Sequence, residues 1–93
     1  MISKKILQIR KKLDKLDDKF IDLIKKRSKL VDEVVLNKKF KKDIIDKKRI
    51  KVILKNIKNK SKRKKIDTKV TQAIWIAMIK AFIDYEFRNF KKK

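Results

Sequence analysis

The sequence from residue 6 to residue 38 reads ILQIRKKLDKLDDKFIDLIKKRSKLVDEVVLNK. Its apolar residues recur at alternating spacings of three and four, the pattern of one stripe along one long helix. The stripe comprises Ile6, Ile9, Leu13, Leu16, Phe20 and Leu23. The same spacing then leads to Arg27, Leu30, Val34 and Lys38, so two cations stand where the pattern calls for core residues.

An unpaired charge on a buried stripe is costly, so Arg27 and Lys38 require neutralisation. A carboxylate of the protein, a solvated cleft or an anionic ligand would each supply it. The two residues are nearly in phase and lie about three turns, or roughly 16 Å, apart along a helix. They could hold a small dianion between them.

Gly and Pro are both absent from the 93 residues, which favours helices joined by short polar connections. We expect one all-α domain over residues 1–93 with three helices. The first, capped by Ser3, runs from about 4 to 38, and 39–43 form a connection. The second runs from about 44 to 58, and its inner side carries Ile45, Ile50, Ile53, Leu54 and Ile57.

The third helix begins at a cap formed by Asp67 or Thr68 and continues to about residue 90. It is apolar nearly all round, so we expect it to be the central, buried element. The first helix is about 50 Å long, more than a monomer of this size needs. A second copy of the chain would cover the part of the stripe left bare.

Thirty-two Lys and Arg residues against eleven Asp and Glu give a net charge of +21, which raises nucleic acid as a partner. Only five of these cations are Arg, the residue suited to bidentate phosphate recognition. We therefore interpret the Lys and Ile richness as a bias of the whole proteome. The Lys-rich segment 59–65 is either a solvated loop or a phosphate-binding patch.

Cys and His are absent, which excludes disulfides, Cys/His metal sites and imidazole acid–base chemistry. The longest apolar run, residues 73–79, has seven residues and is far too short to span a membrane. The N-terminal residues lead directly into the amphipathic stripe without a signal-peptide core. A cytoplasmic location is therefore expected.

The candidate site is a set of cations on the inward side of long helices together with one carboxyl group. It offers no nucleophile, metal or obvious base. Such a set can bind a dicarboxylate and stabilise charge that develops within it. Its members are Arg10, Arg27, Lys38, Arg49 and Glu86. Alternatively, Glu86 has only a structural role and forms an ion pair with a nearby Lys or Arg.

Four segments in order resemble the all-helical chorismate mutases over nearly the whole chain. Residues 9–17 read IRKKLDKLD, and residues 23–27 read LIKKR, with Lys38 eleven positions after Arg27. Residues 46–49 read DKKR, similar to the start of the family's second helix. Residues 74–87, IWIAMIKAFIDYEF, resemble its final helix. Each segment alone is a weak signal, and the four together with their spacings are a strong one.

The resemblance implies an intertwined helical homodimer that converts chorismate to prephenate without a cofactor, in aromatic amino-acid biosynthesis through the shikimate pathway. It implies that Arg10 enters the partner's site, that Arg27 and Arg49 hold carboxylates, and that Lys38 donates to the ether oxygen and a carboxylate. It further places Asp46 at the site, mainly through its backbone, and Phe82 and Ile83 near the substrate ring. No metal is implied.

Two positions depart from the family pattern. Ile50 stands where many members have a Glu that bonds the ring hydroxyl, and an Ile side chain cannot form that hydrogen bond. Glu86 stands where many have Gln, and a carboxylate cannot donate to the ether oxygen. We therefore expect activity to rise toward acidic pH unless burial keeps Glu86 protonated.

An arginine followed by Ile or Val also resembles the related isochorismate pyruvate lyases, which form salicylate on the same fold. That activity is the first alternative. A basic helical protein that binds nucleic acid is the second alternative, and it predicts steeply salt-dependent binding through the Lys-rich faces. If the protein is either enzyme, we expect no membrane partner and no specific nucleic-acid partner.

Overall fold

The computed structural model describes residues 2–91. It contains three α-helices, α1 (Lys4–Asn37), α2 (Lys47–Arg63) and α3 (Thr68–Asn89), and a short 3₁₀ helix at Lys41–Ile44 in the first connection. Within the described range there is no strand. The predicted all-α class and the three helices are confirmed, and the dimer stays a prediction.

The chain divides into two compact units, one up to residue 30 and one from residue 31 onward. The first unit consists of the N-terminal part of α1, which begins where the Ser3 hydroxyl accepts a hydrogen bond from the backbone N–H of Ile6 at 3.2 Å. Its apolar stripe is open to solvent in the single chain, with exposed fractions between 44% for Ile6 and 60% for Leu23. That outcome agrees with the prediction that a monomer leaves the stripe bare.

In the second unit, α2 packs against α3. Polar side chains join the two helices: the Gln72 amide donates to the backbone carbonyl of Leu54 at 3.0 Å, and the hydroxyl oxygens of Ser61 and Thr71 lie 2.7 Å apart. Four of the five residues predicted on the inner side of α2 are half-buried there, namely Ile50, Ile53, Leu54 and Ile57.

The prediction for Ile45 was wrong. Ile45 precedes α2 and remains 48% exposed, whereas its neighbour Ile44 is buried. The reason is the 3₁₀ helix, which ends at Ile44 and contacts α3. Its tight turns direct Ile44, rather than Ile45, into the interior.

The predicted loop at 59–65 was also wrong for most of its length, because α2 continues to Arg63. Ser61 stabilises this last part, since its buried hydroxyl donates to the carbonyl of Ile57 at 2.7 Å. The helix ends where Lys65 adopts a positive φ of 58° and the N–H of Ile66 donates to the carbonyl of Ser61 at 2.9 Å.

Asp67 caps α3, as predicted, by accepting from the N–H groups of Lys69 and Val70 at 2.8 and 3.3 Å. The prediction that α3 is the central buried element does not hold in the single chain. Ile76 is 55% exposed, and Glu86 is the residue of α3 that is buried. The apolar residues of α3 are distributed around the whole helix, and packing against α2 covers only one side of it.

Candidate active site

The geometry of the candidate site centres on Lys38, the residue that follows the last residue of α1. Its ammonium donates to Glu86 Oε1 at 3.0 Å and to the backbone carbonyl of Ile44 at 3.3 Å. The Lys38 side chain is 20% exposed. An ammonium has three N–H donors, and these two hydrogen bonds occupy two of them, which leaves one for a ligand.

Glu86 supplies the anionic half of the pair from α3. Its side chain is 10% exposed, so the ion pair is largely withdrawn from water. Charges in such surroundings interact more strongly with each other and with a bound anion than they would at the surface. The ion pair predicted as the structural alternative for Glu86 therefore forms, and it forms with one of the two cations that interrupt the apolar stripe.

The 3₁₀ helix fixes the carbonyl to which Lys38 donates. The N–H of Asp43 donates to the carbonyl of Phe40 at 3.0 Å, and the Asp43 carboxylate accepts from the N–H of Phe40 at 3.3 Å. With Ile44 buried at the end of this turn, its carbonyl is held in place beside the Lys38 ammonium. The polar connection expected at 39–43 is therefore an ordered part of the site.

Asp46 is the N-cap of α2. Its carboxylate accepts from the N–H of Arg49 at 3.0 Å, and its carbonyl accepts from the N–H of Ile50 at the same distance. The side chain of Asp46 is thus engaged in the cap. Its hydrogen bonds fix the backbone of Arg49 and Ile50 in the first turn of α2. Beside this cap lies a shallow depression of about 400 Å³, whose lining includes Lys42, Asp46 and Lys48.

Phe82 and Ile83 precede Glu86 by four and three residues on α3, so all three share one face of the helix. Both are half-buried. The ring of Phe82 meets the ring of Tyr85 edge-on, with 6.3 Å between centroids and an interplanar angle of 83°. The apolar wall predicted near the substrate ring therefore adjoins the Lys38–Glu86 pair.

A second contact between the end of α1 and α3 was missed from the sequence. The Tyr85 hydroxyl donates to Asp32 Oδ1 at 2.6 Å. This hydrogen bond raises the pKa of Tyr85 above its usual value, as do desolvation and the negative charge of Asp32, whereas the Arg88 cation opposes the rise. Each residue is an ordinary polar residue of its own helix. The two are 53 positions apart, and no local sequence pattern predicts their contact.

The structure brings together Lys38, Glu86, Phe82 and Ile83, and it places Asp46, Arg49 and Ile50 at the start of α2. Arg10 and Arg27 belong to the other unit, where Arg10 is exposed and Arg27 is half-buried. Their roles therefore stay predictions. Among residues 2–91, no cluster of three or more acidic side chains is arranged to hold a metal ion.

The sequence profile of the family described as chorismate mutase type II matches residues 9–87. The chain belongs to this family. The matched range includes every candidate residue from Arg10 to Glu86. Membership indicates an isomerase of the chorismate mutase type, on an all-helical scaffold. No curated protein and no solved structure matches significantly. None of the described helices combines the length and apolarity needed to cross a membrane.

Proposed function

We propose that this member of the chorismate mutase type II family rearranges chorismate to prephenate in the cytoplasm, by electrostatic stabilisation and without covalent catalysis. One observation carries the proposal: the Lys38 ammonium is fixed by Glu86 and by the carbonyl of Ile44 in largely buried surroundings. A cation preorganised in this way stabilises charge as it develops, because little reorganisation is needed when the reaction occurs.

The chemistry requires little more than such a cation. In the rearrangement, the ether bond breaks while a carbon–carbon bond forms, so no atom is gained or lost. The transition state places negative charge on the enolpyruvyl-like fragment and positive charge on the ring. The third N–H of Lys38 would donate to the ether oxygen, where the negative charge grows, and would therefore bind the transition state more tightly than the substrate.

Glu86 would take part as a hydrogen-bond donor to the same ether oxygen. In the absence of substrate it accepts from Lys38, and an ionised carboxylate has no proton to offer. The protonated form would complete a pair of donors with Lys38. Phe82 and Ile83 would contact the ring from the same face of α3, and their apolar side chains would exclude water from it.

For the two carboxylates of the substrate, we propose Arg27 and Arg49, together with Arg10 of the partner subunit. The basis is the sequence resemblance, since guanidinium groups match carboxylates in bidentate geometry. Arg49 lies in the first turn of α2, where the cap formed by Asp46 fixes its backbone. The half-buried Ile50 follows it and offers no group that could bond a ring hydroxyl.

A pair of assays on purified protein tests the reaction: chorismate to prephenate and isochorismate to salicylate plus pyruvate, each from about pH 5 to 8. Prephenate as the main product supports the proposal. Salicylate as the main product would move the protein to the lyase alternative that Ile50 raises. Absence of both products in a folded sample would overturn the enzyme assignment for this site.

The homodimer can be tested by complementation. Arg10→Ala and Lys38→Ala subunits, each inactive alone, should regain about a quarter of normal activity when mixed, since half of the dimers would be mixed and carry one intact site. The control mixture, Arg27→Ala with Lys38→Ala, should stay inactive because each mixed dimer then has a defect in both sites. Failure of the first mixture despite subunit exchange would contradict the sharing of Arg10.

A further inference from the structure

The solvent-facing side of α2 carries a continuous row of lysines. Their spacings alternate between three and four residues, so the five side chains project from one side of the helix along about 21 Å of its axis. All five are exposed. This lysine ridge consists of Lys48, Lys51, Lys55, Lys58 and Lys62.

A proteome-wide richness in lysine does not account for the ridge. In α1, six acidic residues are interspersed among the cations, so most lysines there have a carboxylate within one or two turns. Between residues 47 and 66 there is no Asp or Glu at all. The positive charge is thus partly compensated in α1, by six acidic residues against eleven Lys and Arg, and is left uncompensated in α2.

The packing of α2 against α3 also leaves the ridge exposed to solvent. The side of α2 next to the ridge packs against α3 through the carbonyl of Leu54 and the hydroxyl of Ser61, and the ridge itself stays exposed. Neighbouring lysines of the ridge repel one another, because residues three and four apart are neighbours on the surface of a helix. A bound polyanion would remove this repulsion.

We propose that the lysine ridge binds the phosphate backbone of duplex nucleic acid without reading its sequence. The ridge is a linear row of point charges, and its length of about 21 Å corresponds to about a dozen phosphates at one charge per 1.7 Å of duplex axis. No Arg lies on the ridge to pair with guanine edges, and residues 47–66 contain no aromatic side chain on which single-stranded bases would stack.

An anionic membrane surface fits the ridge less well. Helices that lie in a membrane interface insert an exposed apolar face beside their cations. The exposed positions that flank the ridge are polar or charged apart from Val52, namely Lys47, Asn56, Asn59 and Arg63. The apolar residues of α2, such as Ile53 and Ile57, are turned toward α3.

Four proteins test the proposal: the unchanged chain, a ridge variant (Lys51→Gln, Lys55→Gln and Lys58→Gln), a matched α1 variant (Lys11→Gln, Lys15→Gln and Lys25→Gln) and a ridge variant with Arg at the same three positions. Both Gln variants lose three charges from exposed lysines. Binding to a labelled duplex of about 20 base pairs is measured by fluorescence anisotropy between about 50 and 200 mM salt. Isomerase turnover and helicity are measured in parallel to verify the fold.

The ridge variant should bind at least about tenfold more weakly at the lowest salt. The magnitude of its slope of log K against log salt should fall by about 2.7, because each phosphate that a lysine no longer neutralises lowers the slope by about 0.9. The α1 variant should keep most of the affinity and slope. A ridge variant with Lys51→Arg, Lys55→Arg and Lys58→Arg should bind like the unchanged chain. Turnover should be the same in all four proteins.

Three results would overturn the proposal. The first is an equal loss of affinity in the ridge and α1 variants, because the net charge would then be all that matters. The second is no binding by the unchanged chain at about 50 mM salt, where electrostatic binding to a duplex is strong. The third is tighter binding to phosphatidylserine-containing vesicles than to the duplex, with the same dependence on the ridge, which would assign the surface to a membrane.

Discussion

Lys38 Nζ lies 3.0 Å from Glu86 Oε1, although the two residues are 48 positions apart in the sequence. The ion pair closes the end of α1 onto the last turns of α3, and the carbonyl of Ile44 adds a second acceptor at 3.3 Å. A surface ion pair would be weak, but both side chains here are largely withdrawn from solvent. The pair therefore serves as a fixed electrostatic element.

Replacement of Lys38 should abolish most of the catalysis. We expect kcat/KM for chorismate to fall about 100- to 1,000-fold in Lys38→Ala, the usual loss when one preorganised donor is removed. Lys38→Gln should show a similar loss while it keeps a hydrogen bond to Glu86. This variant therefore distinguishes an effect of the missing charge from an effect of misfolding. The neighbouring Lys39 is exposed, so Lys39→Ala is the matched control. Near-normal turnover in folded Lys38→Ala with an intact dimer would refute the site.

Glu86 should limit catalysis in the unchanged chain. Its carboxylate accepts from Lys38, and a carboxylate has no proton with which to donate a hydrogen bond to the ether oxygen. Glu86→Gln supplies a permanent donor, so its kcat/KM for chorismate at neutral pH should exceed that of the unchanged chain by about tenfold. The exposed neighbour Asp84 provides the control, since Asp84→Asn should keep the original kcat/KM. Equal values for all three proteins would exclude this role.

Tyr85 is the single tyrosine of the chain, so tyrosinate absorbance reports its ionisation directly. The bond to Asp32 should place the titration midpoint above the ordinary value of 10.0, and Asp32→Asn should lower it. Because the folded state holds this proton more tightly, the stabilisation is fully present below pH 10 and declines as the pH rises above it. Glu33→Gln, a charge loss at the adjacent exposed residue, should leave the midpoint unchanged. Equal midpoints in Asp32→Asn and the unchanged chain would disprove the hydrogen bond.

Ser61→Ala should destabilise the packing of α2 on α3. The buried Ser61 hydroxyl bonds both the Ile57 carbonyl and Thr71, whose hydroxyl would lose a partner, so we expect a loss of about 1–3 kcal/mol in the free energy of unfolding. Urea titration followed by the fluorescence of Trp75, the single tryptophan, would measure it. Ser28 makes the same bond within its helix, to the carbonyl of Ile24 at 2.9 Å, but this bond is exposed to solvent. Ser28→Ala should change stability by less than about 0.5 kcal/mol, and equal losses would contradict this interpretation.

The ends of the helices show how far local chemistry predicts the fold. Ser3 and Asp67 are predictable as caps because a hydroxyl or carboxylate that precedes a helix satisfies its first N–H groups, and both form those bonds. The end of α2 is not predictable in this way, because lysines are compatible with both helix and loop. What extends the helix there is Ser61, whose hydroxyl is engaged by Thr71 on another helix.

The candidate site likewise has one part that the sequence predicts and another that only the structure gives. Lys38 stands out in the sequence because its charge interrupts an apolar stripe, and an interrupted stripe implies a compensating group. The sequence leaves that group open among a carboxylate, solvent and a ligand, and the structure supplies Glu86. The hydrogen bond between Tyr85 and Asp32 has no counterpart in the sequence, since each residue is an ordinary polar position on its own helix.

By itself, the sequence determined the helical class, the number of helices, the caps and the family, because these follow from periodicity, local backbone chemistry and spaced motifs. Tertiary structure alone decided that Lys38 meets Glu86, that Ile44 rather than Ile45 is buried, and that α2 turns its lysines outward. The physical reason is that these arrangements join residues from different elements. Their geometry depends on how the elements pack, and no local pattern specifies that packing.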